Sequence, residues 1–284
     1  MGGLGNQLFQ YAMAKNIIES KKCKLLLDDT CGMFDSPRKF ELNELNICGI
    51  KTISPRLSRK YNNYRRYCDA FMNSSKIDKN KTFSSKIFRY GFEREEFVYQ
   101  DNSNYNYLDG YWQNTKYFYK IKSILNNEFS YKWNLSDIQE KYLFRINSTN
   151  SVGVHIRRGD YLNLSNYYEV LDNAYYAKAI DYINEIIIDP VFFIFSDDIN
   201  WCKQNFKGDN FIFTDSEINT NAKEDFEMLK KCKHHIISNS TFSWWASWLS
   251  MNDKNITIAP SKWYKNDEQN RKCQKALLDE MILF

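Results

Sequence analysis

The run Ser151-Val152-Gly153-Val154-His155-Ile156-Arg157-Arg158-Gly159-Asp160-Tyr161 gathers residue types that rarely sit together without a task. An apolar stretch, 152–156, reads as a short buried strand, and a histidine, two adjacent arginines and an aspartate crowd its end. Arginine and aspartate are seldom fully buried without partners. At the lip of a buried strand they suggest a site that handles an anion, since a guanidinium offers forked, charge-assisted donors.

A second group is Ser238-Asn239-Ser240-Thr241-Phe242-Ser243-Trp244-Trp245, which follows a strand and opens a helix. It reads equally as a well-capped helix or as hydroxyls and N–H groups aimed at a phosphate. Arg157 on the same sheet edge favours the phosphate. Ser196-Asp197-Asp198 also ends a strand. It reads either as carboxylates for a hard divalent ion or as partners for an arginine and a cap for the next helix. Two nearby arginines favour the second reading. Asp225 near a helix start is a solvated acid that suits the dipole, or an acceptor for the edge of a purine, the first reading leading. Gly2-Gly3-Leu4-Gly5-Asn6-Gln7 is a glycine loop opening into a helix over 8–20, a place where backbone N–H groups can meet an anion. It is neither a full dinucleotide fingerprint, since Leu8 takes the third glycine's place, nor a P-loop.

The elements that must hold these groups are clearest from Ser151 onward. Strands are expected at 152–156, 191–195, 211–213, 235–238 and 256–259. Helices are expected between them at 173–187, 199–205, 223–232 and 242–251, with a last one at 268–281. Alternation of this kind means a parallel sheet with helices on both faces, and its ligand lies beyond the carboxyl ends of the strands. Arg157 to Asp160, Ser196 to Asp198, Thr214 with Asp215, and Asn239 to Thr241 all fall there. Before Ser151 the pattern is looser: strands at 24–29 and 107–112, irregular chain over 30–60, polar helices and loops over 61–98, and helices at 116–127 and 136–146. Ser136 or Asp137 caps the last of these, with Gln139 or Glu140 about three residues on. A strand is expected ahead of the glycine loop and none is present, so either another segment fills that position or the start is clipped. The polar stretch 147–150 is the expected joint between domains 1–148 and 149–284, the final helix packing back across it.

The 284 residues, 43% of them hydrophobic, suffice for one large or two small α/β domains. Aromatics reach 17%, mostly for cores, with a minority expected to stack on sugar rings. The net charge of +4 is uneven. From Arg56 to Tyr90 ten Lys/Arg oppose Asp69 and Asp78, which makes that block +8 and leaves −4 elsewhere. Such a block reads first as a solvated face, then as a contact for a membrane surface or phosphorylated partner. Nucleic acid is a weaker rival that would require steeply salt-dependent affinity. Seven cysteines without a Cys-x-x-Cys pair argue for free thiols in a reducing compartment, and against disulfides or a zinc site. No signal peptide is expected, and no apolar run approaches the roughly 20 residues of a membrane span. The expected location is the cytoplasm, with peripheral contact at the inner membrane face.

His155-Ile156-Arg157-Arg158-Gly159-Asp160 resembles the HxRRxD motif of the α-1,2-fucosyltransferases and the related α-1,6- and protein O-fucosyltransferases. The opening Gly2–Ala12 run, Asp109-Gly110-Tyr111-Trp112-Gln113, Ser196-Asp197-Asp198, and the stretch from Asp225-Phe226 to Trp245 resemble further family motifs in the same order. The resemblance implies a GT-B architecture of two Rossmann-like domains facing across a cleft. It implies a metal-independent, inverting transfer of L-fucose from GDP-fucose to the 2-hydroxyl of a galactoside, on a galactose-terminated or lipid-linked glycan of a surface polysaccharide or O-antigen. By motif position Arg157 would hold the β-phosphate of the donor, with Arg158 beside it. His155 and Asp225 would meet guanine; Asn239, Ser240 and Thr241 would line the phosphates. Asn6, flanked by Gly5 and Gln7, would reach the donor across the cleft. Asp160 is the candidate base, its alternative role being to hold Arg158 or the turn, and Asp197 is a further donor-site candidate. The rival reading is a non-catalytic GDP-sugar or carbohydrate binder of the same fold.

Overall fold

The computed structural model describes residues 2–21, 23–29, 39–48, 50–53, 87–90, 107–131, 135–214, 221–252 and 254–284. The basic block lies outside these residues except for 87–90, and Asp215 also lies outside them. The chain forms two compact units, Met1–Ile121 and Lys122–Phe284.

The first unit opens on helix α1, Leu4–Ser20. Leu8, Phe9, Ala12 and Met13 are buried along it, and Phe9 meets Phe118 with ring centroids 5.7 Å apart. Strands β1, Ile87–Tyr90, and β2, Tyr107–Gly110, pair in parallel. A strand therefore stands at 87–90, where helices and loops were expected. The expected strand at 24–29 shrinks to one bridge, Leu27 with Thr52. Lys24 and Leu26 within it are exposed. The helix expected over 116–127 is broken into two 3₁₀ turns, Thr115–Tyr117 and Tyr119–Ile121, before α2, Lys122–Glu128. The Asn114 side chain accepts the N–H of Lys116 at 3.0 Å and starts the first turn early.

The second unit holds α2, then α3, Asp137–Ser148, and a six-stranded parallel sheet. In chain order the remaining elements are β3 (Asn150–Ile156), α4 (Gly159–Asn163), α5 (Asn173–Ile186), β4 (Pro190–Ser196), α6 (Ile199–Asn205) and β5 (Phe211–Phe213). They continue with α7 (Ala222–Lys231), β6 (His234–Ile236), α8 (Thr241–Trp248), β7 (Thr257–Ala259), α9 (Asp267–Leu277) and β8 (Ile282–Leu283). The sheet order is β5-β4-β3-β6-β7-β8. Side chains alternate across a strand. Val152, Val154 and Ile156 of β3 share a core with Tyr176, Ala179, Ile180 and Ile183 of α5. Phe193 and Phe195 of β4 meet Tyr142 of α3, with centroids 5.3 and 6.5 Å apart. Gly153 lets α7 pack directly on the middle of the sheet: a Cβ there would stand 2.5 Å from Leu229 Cδ1 and 3.1 Å from Cys232 Sγ.

Ser136 and Gln139 form the expected capping box on α3. That helix belongs to the second unit, because Tyr142 lies on β4 and Gln139 donates to Glu224 of α7 at 3.1 Å. The compact division thus falls before α2, ahead of the joint expected at 148/149. The last helix ends at Leu277, and the chain beyond it adds β8 to the sheet, with Phe284 N–H donating to Ala259 O at 3.0 Å.

Candidate functional site

The sheet order sets β3 between β4 and β6, so the residues leaving those three strands meet at one edge. Ile156 pairs with Ser196 in the β3–β4 register. The next two positions on each strand then face one another, Arg157 by Asp197 and Arg158 by Asp198. The side chains follow that register. Arg157 Nη1 lies 2.9 Å from Asp197 Oδ2, and its Nη2 lies 2.8 Å from Asp160 Oδ1. Arg158 Nε lies 3.3 Å from Asp198 Oδ2, and its guanidinium stacks 4.3 Å over Trp201. The sequence left Asp160 paired with Arg158 or the turn; in the structure it pairs with Arg157, one helical turn back.

The two arginines have separate surroundings. Arg158 is 17% exposed and Arg157 26%, so Arg157 is the more open to a ligand. Burial alone would lower the Arg157 pKa, but the Asp160 hydrogen bond and the charge of Asp197 raise it above its ordinary value. A guanidinium carries five N–H donors, and two ion pairs leave it capacity for an incoming anion. The ring of Tyr161 lies 5.9 Å from its Cζ. Tyr161 stacks on Tyr168 at 4.5 Å and donates its hydroxyl to Asn239 O at 3.0 Å, tying the β3 exit to the β6 exit.

His155 is buried at the end of β3. Its Nδ1 lies 2.8 Å from Ser238 Oγ, and its ring lies 5.3 Å from Phe242. Burial, reinforced by Arg157, pushes its pKa down to about 3, so the imidazole is neutral near neutrality. Phe242 also meets Phe226 at 5.3 Å, edge to face, and Phe226 follows Asp225 in the first turn of α7. An aromatic chain therefore joins the helix of Asp225 to His155. Asp225 itself is half-buried.

Ser240 caps α8, its Oγ accepting the N–H of Phe242 at 3.4 Å, and Thr241 opens that helix half-buried. Asn239 is turned into the protein: its Nδ2 donates to Glu169 O at 2.7 Å and Trp263 O at 2.9 Å. The structure thus gives Asn239 a bracing place in the loop. Asp197 and Asp198 take the arginine-pairing and capping places, Asp198 Oδ1 accepting the N–H of Trp201 at 3.2 Å. Among the described residues no three His, Cys, Asp or Glu side chains group to hold a metal ion.

In the first unit the helix starts at Leu4 rather than Leu8, so Gly5, Asn6 and Gln7 are helical and the loop reduces to Gly2-Gly3. The Gln7 amide explains the early start. Its Nε2 donates to Gly2 O at 3.0 Å and Lys39 O at 2.8 Å, and its Oε1 accepts Glu41 N–H at 2.9 Å. Asn6 Oδ1 accepts from Gln113 Nε2 at 2.8 Å. Gly2 has φ +79° and packs on the Asn6 amide, where a Cβ would lie 2.6 Å from Nδ2. Gly5 is buried.

The sequence alone marks neither Ser238 nor Phe242 as the two side chains that seat His155. Both lie inside the quoted Ser238–Trp245 motif, and the strand's alternation was the available signal. Trp201 as a platform for Arg158 had no local signal, because it arrives from the next crossover.

Comparison with known proteins finds relatives along most of the chain. The sequence pattern described as glycosyl transferase family 11 matches residues 61–283. An Escherichia coli alpha-1,2-colitosyltransferase is 35% identical over 95% of this chain and 92% of its own length. The Escherichia coli O-antigen biosynthesis glycosyltransferase WbnK is 30% identical over 95% of each chain. Galactoside alpha-(1,2)-fucosyltransferase 1 of Ateles belzebuth is 30% identical over 56% of this chain and 48% of its own. A mutant Arabidopsis thaliana FUT1 solved in complex with GDP superposes with a TM-score of 0.50 at 10% identity, covering 90% of this chain and 68% of that one. That likeness bears on the fold, an α/β architecture with a parallel sheet.

Proposed function

The chain belongs to glycosyl transferase family 11, and we propose that it transfers L-fucose from GDP-fucose to the 2-hydroxyl of a galactoside, with inversion and without a metal ion. The observation that carries this reading is Arg157, fixed at the sheet edge between Asp160 and Asp197 and beside the loop that opens α8. The acceptor oxygen attacks the anomeric carbon as the bond to the β-phosphate oxygen breaks. The electron pair leaves with GDP, and the acceptor proton passes to a base or to water. Charge builds on the departing diphosphate, and a cation already aimed there stabilises the transition state more than the ground state. Arg157 supplies that cation; the N–H groups at the start of α8 supply fixed dipoles. Asp197 and Asp198 are taken up by the two arginines, which suits a site where arginine stands in for a metal ion. Neutral His155 offers a ring nitrogen, and Asp225 a carboxylate, for the guanine edge. Asp160 is the base in this reading.

The 35% identity to an alpha-1,2-colitosyltransferase favours a second donor, a GDP-linked colitose. The acceptor we infer is a galactose-terminated or lipid-linked glycan of a surface polysaccharide, the O-antigen role of WbnK being its model. Free cysteines, with Cys23 and Cys48 exposed, suit the cytoplasm, and the 56–90 basic block suits contact with an anionic membrane face. No helix among the described residues is long and apolar enough to cross a membrane. The test is GDP release from GDP-fucose and GDP-colitose against a panel of β-galactosides. Sustained release dependent on a galactoside supports the reading. GDP-sugar binding without turnover on any acceptor would leave the non-catalytic binder.

A further inference from the structure

Asp197 does more in the structure than neutralise an arginine. Its Oδ1 accepts two backbone N–H groups, from Arg158 at 2.9 Å and Gly159 at 3.2 Å. Its Oδ2 lies 2.9 Å from Arg157 Nη1. One carboxylate leaving β4 therefore holds both the backbone turn after β3 and the guanidinium that the turn carries. Asp160, the other carboxylate on Arg157, sits on the one-turn helix α4, and 40% of its side chain is exposed. Asp197 is 26% exposed and is held at both oxygens.

Gly159 fits this clamp for a steric reason. A Cβ on it would meet three atoms of Asp197 first: Oδ2 at 2.8 Å, Cγ at 3.2 Å and Cβ at 3.8 Å. The residue is exposed and begins α4, and the three atoms nearest to such a Cβ all belong to Asp197. The turn approaches the carboxylate as closely as it does because the side chain there is a hydrogen atom.

We propose that Asp197 is the positioning residue for Arg157, and that Gly159 is the residue which allows it to be. The proposal rests on the reading of Arg157 as the group that meets the leaving diphosphate. It has a distinctive consequence, because Asp197 adds negative charge where a diphosphate must sit. Its presence opposes ground-state binding of the nucleotide while fixing the aim of the guanidinium, which matters in the transition state. In Asp197→Asn either amide orientation sets an N–H donor against the guanidinium or against the backbone N–H groups. Arg157 then loses its aim, while the repulsion on the phosphates is relieved.

The test compares wild type, Asp197→Asn and Gly159→Ala by kcat, donor KM and GDP affinity from calorimetry, with thermal melting as a fold control. For Asp197→Asn the expected result is a kcat roughly 10- to 100-fold lower, the scale of an ångström-level misplacement. GDP should bind no more weakly than to wild type. Gly159→Ala keeps every charge and should lower kcat in the same direction. Unchanged kcat in both folded variants overturns the proposal. So does a parallel loss of GDP affinity and melting temperature in Asp197→Asn, the mark of a merely structural acid. If Asp197→Asn does not fold, Gly159→Ala decides alone. Absence of turnover by the wild type itself would count against the reading of the enzyme rather than against the clamp.

Discussion

Replacing Arg157 by lysine keeps the charge and removes the fork. In the structure the two terminal nitrogens serve different carboxylates, Nη1 facing Asp197 at 2.9 Å and Nη2 facing Asp160 at 2.8 Å. A lysine ammonium is a single point on a flexible stem. It can sit by one carboxylate or lean between them, but it cannot hold both in place and still present paired donors to a phosphate. Loss of one preorganised donor at a developing anion costs about 2.7–4 kcal/mol, or roughly 10²–10³ in rate. Arg157→Lys should therefore lose at least about 100-fold in kcat. Arg157→Ala should lose more, because Asp160 and Asp197 then face the diphosphate with no cation between them. The assay is initial-rate GDP release at saturating donor and acceptor, with circular dichroism and thermal melting to show that each variant is folded. A folded Arg157→Lys protein turning over within a few-fold of wild type would refute the reasoning, since charge alone would then suffice.

Protonation makes a second prediction. His155 and His235 are buried, and burial is the first cause that lowers their pKa values, to about 3 and about 4. The unfolded chain takes up these protons near 6.5 and the folded chain does not. Their neutral forms thus contribute stability that is fully present above about pH 6.5 and is lost as pH falls toward 4 and 3. Thermal melts from pH 7.5 down to 4.5 should show a falling melting temperature that flattens in His155→Asn; an unchanged slope in that variant would count against a neutral buried imidazole. Tyr161→Phe keeps the stack on Tyr168 and removes the hydroxyl bond to Asn239 O. It should cost about 0.5–1.5 kcal/mol of stability and a few-fold in kcat, read by denaturant titration and steady-state rates. Gly153→Ala drives a methyl group into Leu229 and Cys232. It should destabilise by about 1–3 kcal/mol, seen as a lower melting temperature with kcat per folded molecule retained at low temperature.

Much of the second unit was legible because its two periodicities alternate cleanly. Apolar runs such as Phe192-Phe193-Ile194-Phe195 are buried on both faces, as a central parallel strand requires. Ser136 three residues before Gln139 gave the start of α3, because a capping box is a local device. The partners of the arginines were less legible, for a physical reason. Which aspartate meets which arginine follows from the β3–β4 register, Ile156 opposite Ser196, and register is a property of two strands together. Helix α1 starts at Leu4, ahead of the expected Leu8, although Gly5 and Asn6 disfavour a helix interior. Gln7 donating to Lys39 O and accepting the Glu41 N–H overrides that preference, and both partners lie far along the chain. At 24–29, Leu25, Leu26 and Leu27 look apolar enough for a strand, but a strand also needs a neighbour, and among the described residues only Leu27 bridges to one.

The central claim concerns one bond made and one broken at a site organised by Arg157. Its most direct test is to incubate the protein with GDP-fucose, a β-galactoside and excess EDTA, and to read the product linkage and anomeric configuration by NMR. The account predicts an α-linked fucose on the galactose 2-hydroxyl, formed at an undiminished rate under chelation. A β-linked product, or a rate that vanishes with EDTA and returns with a divalent cation, would contradict it.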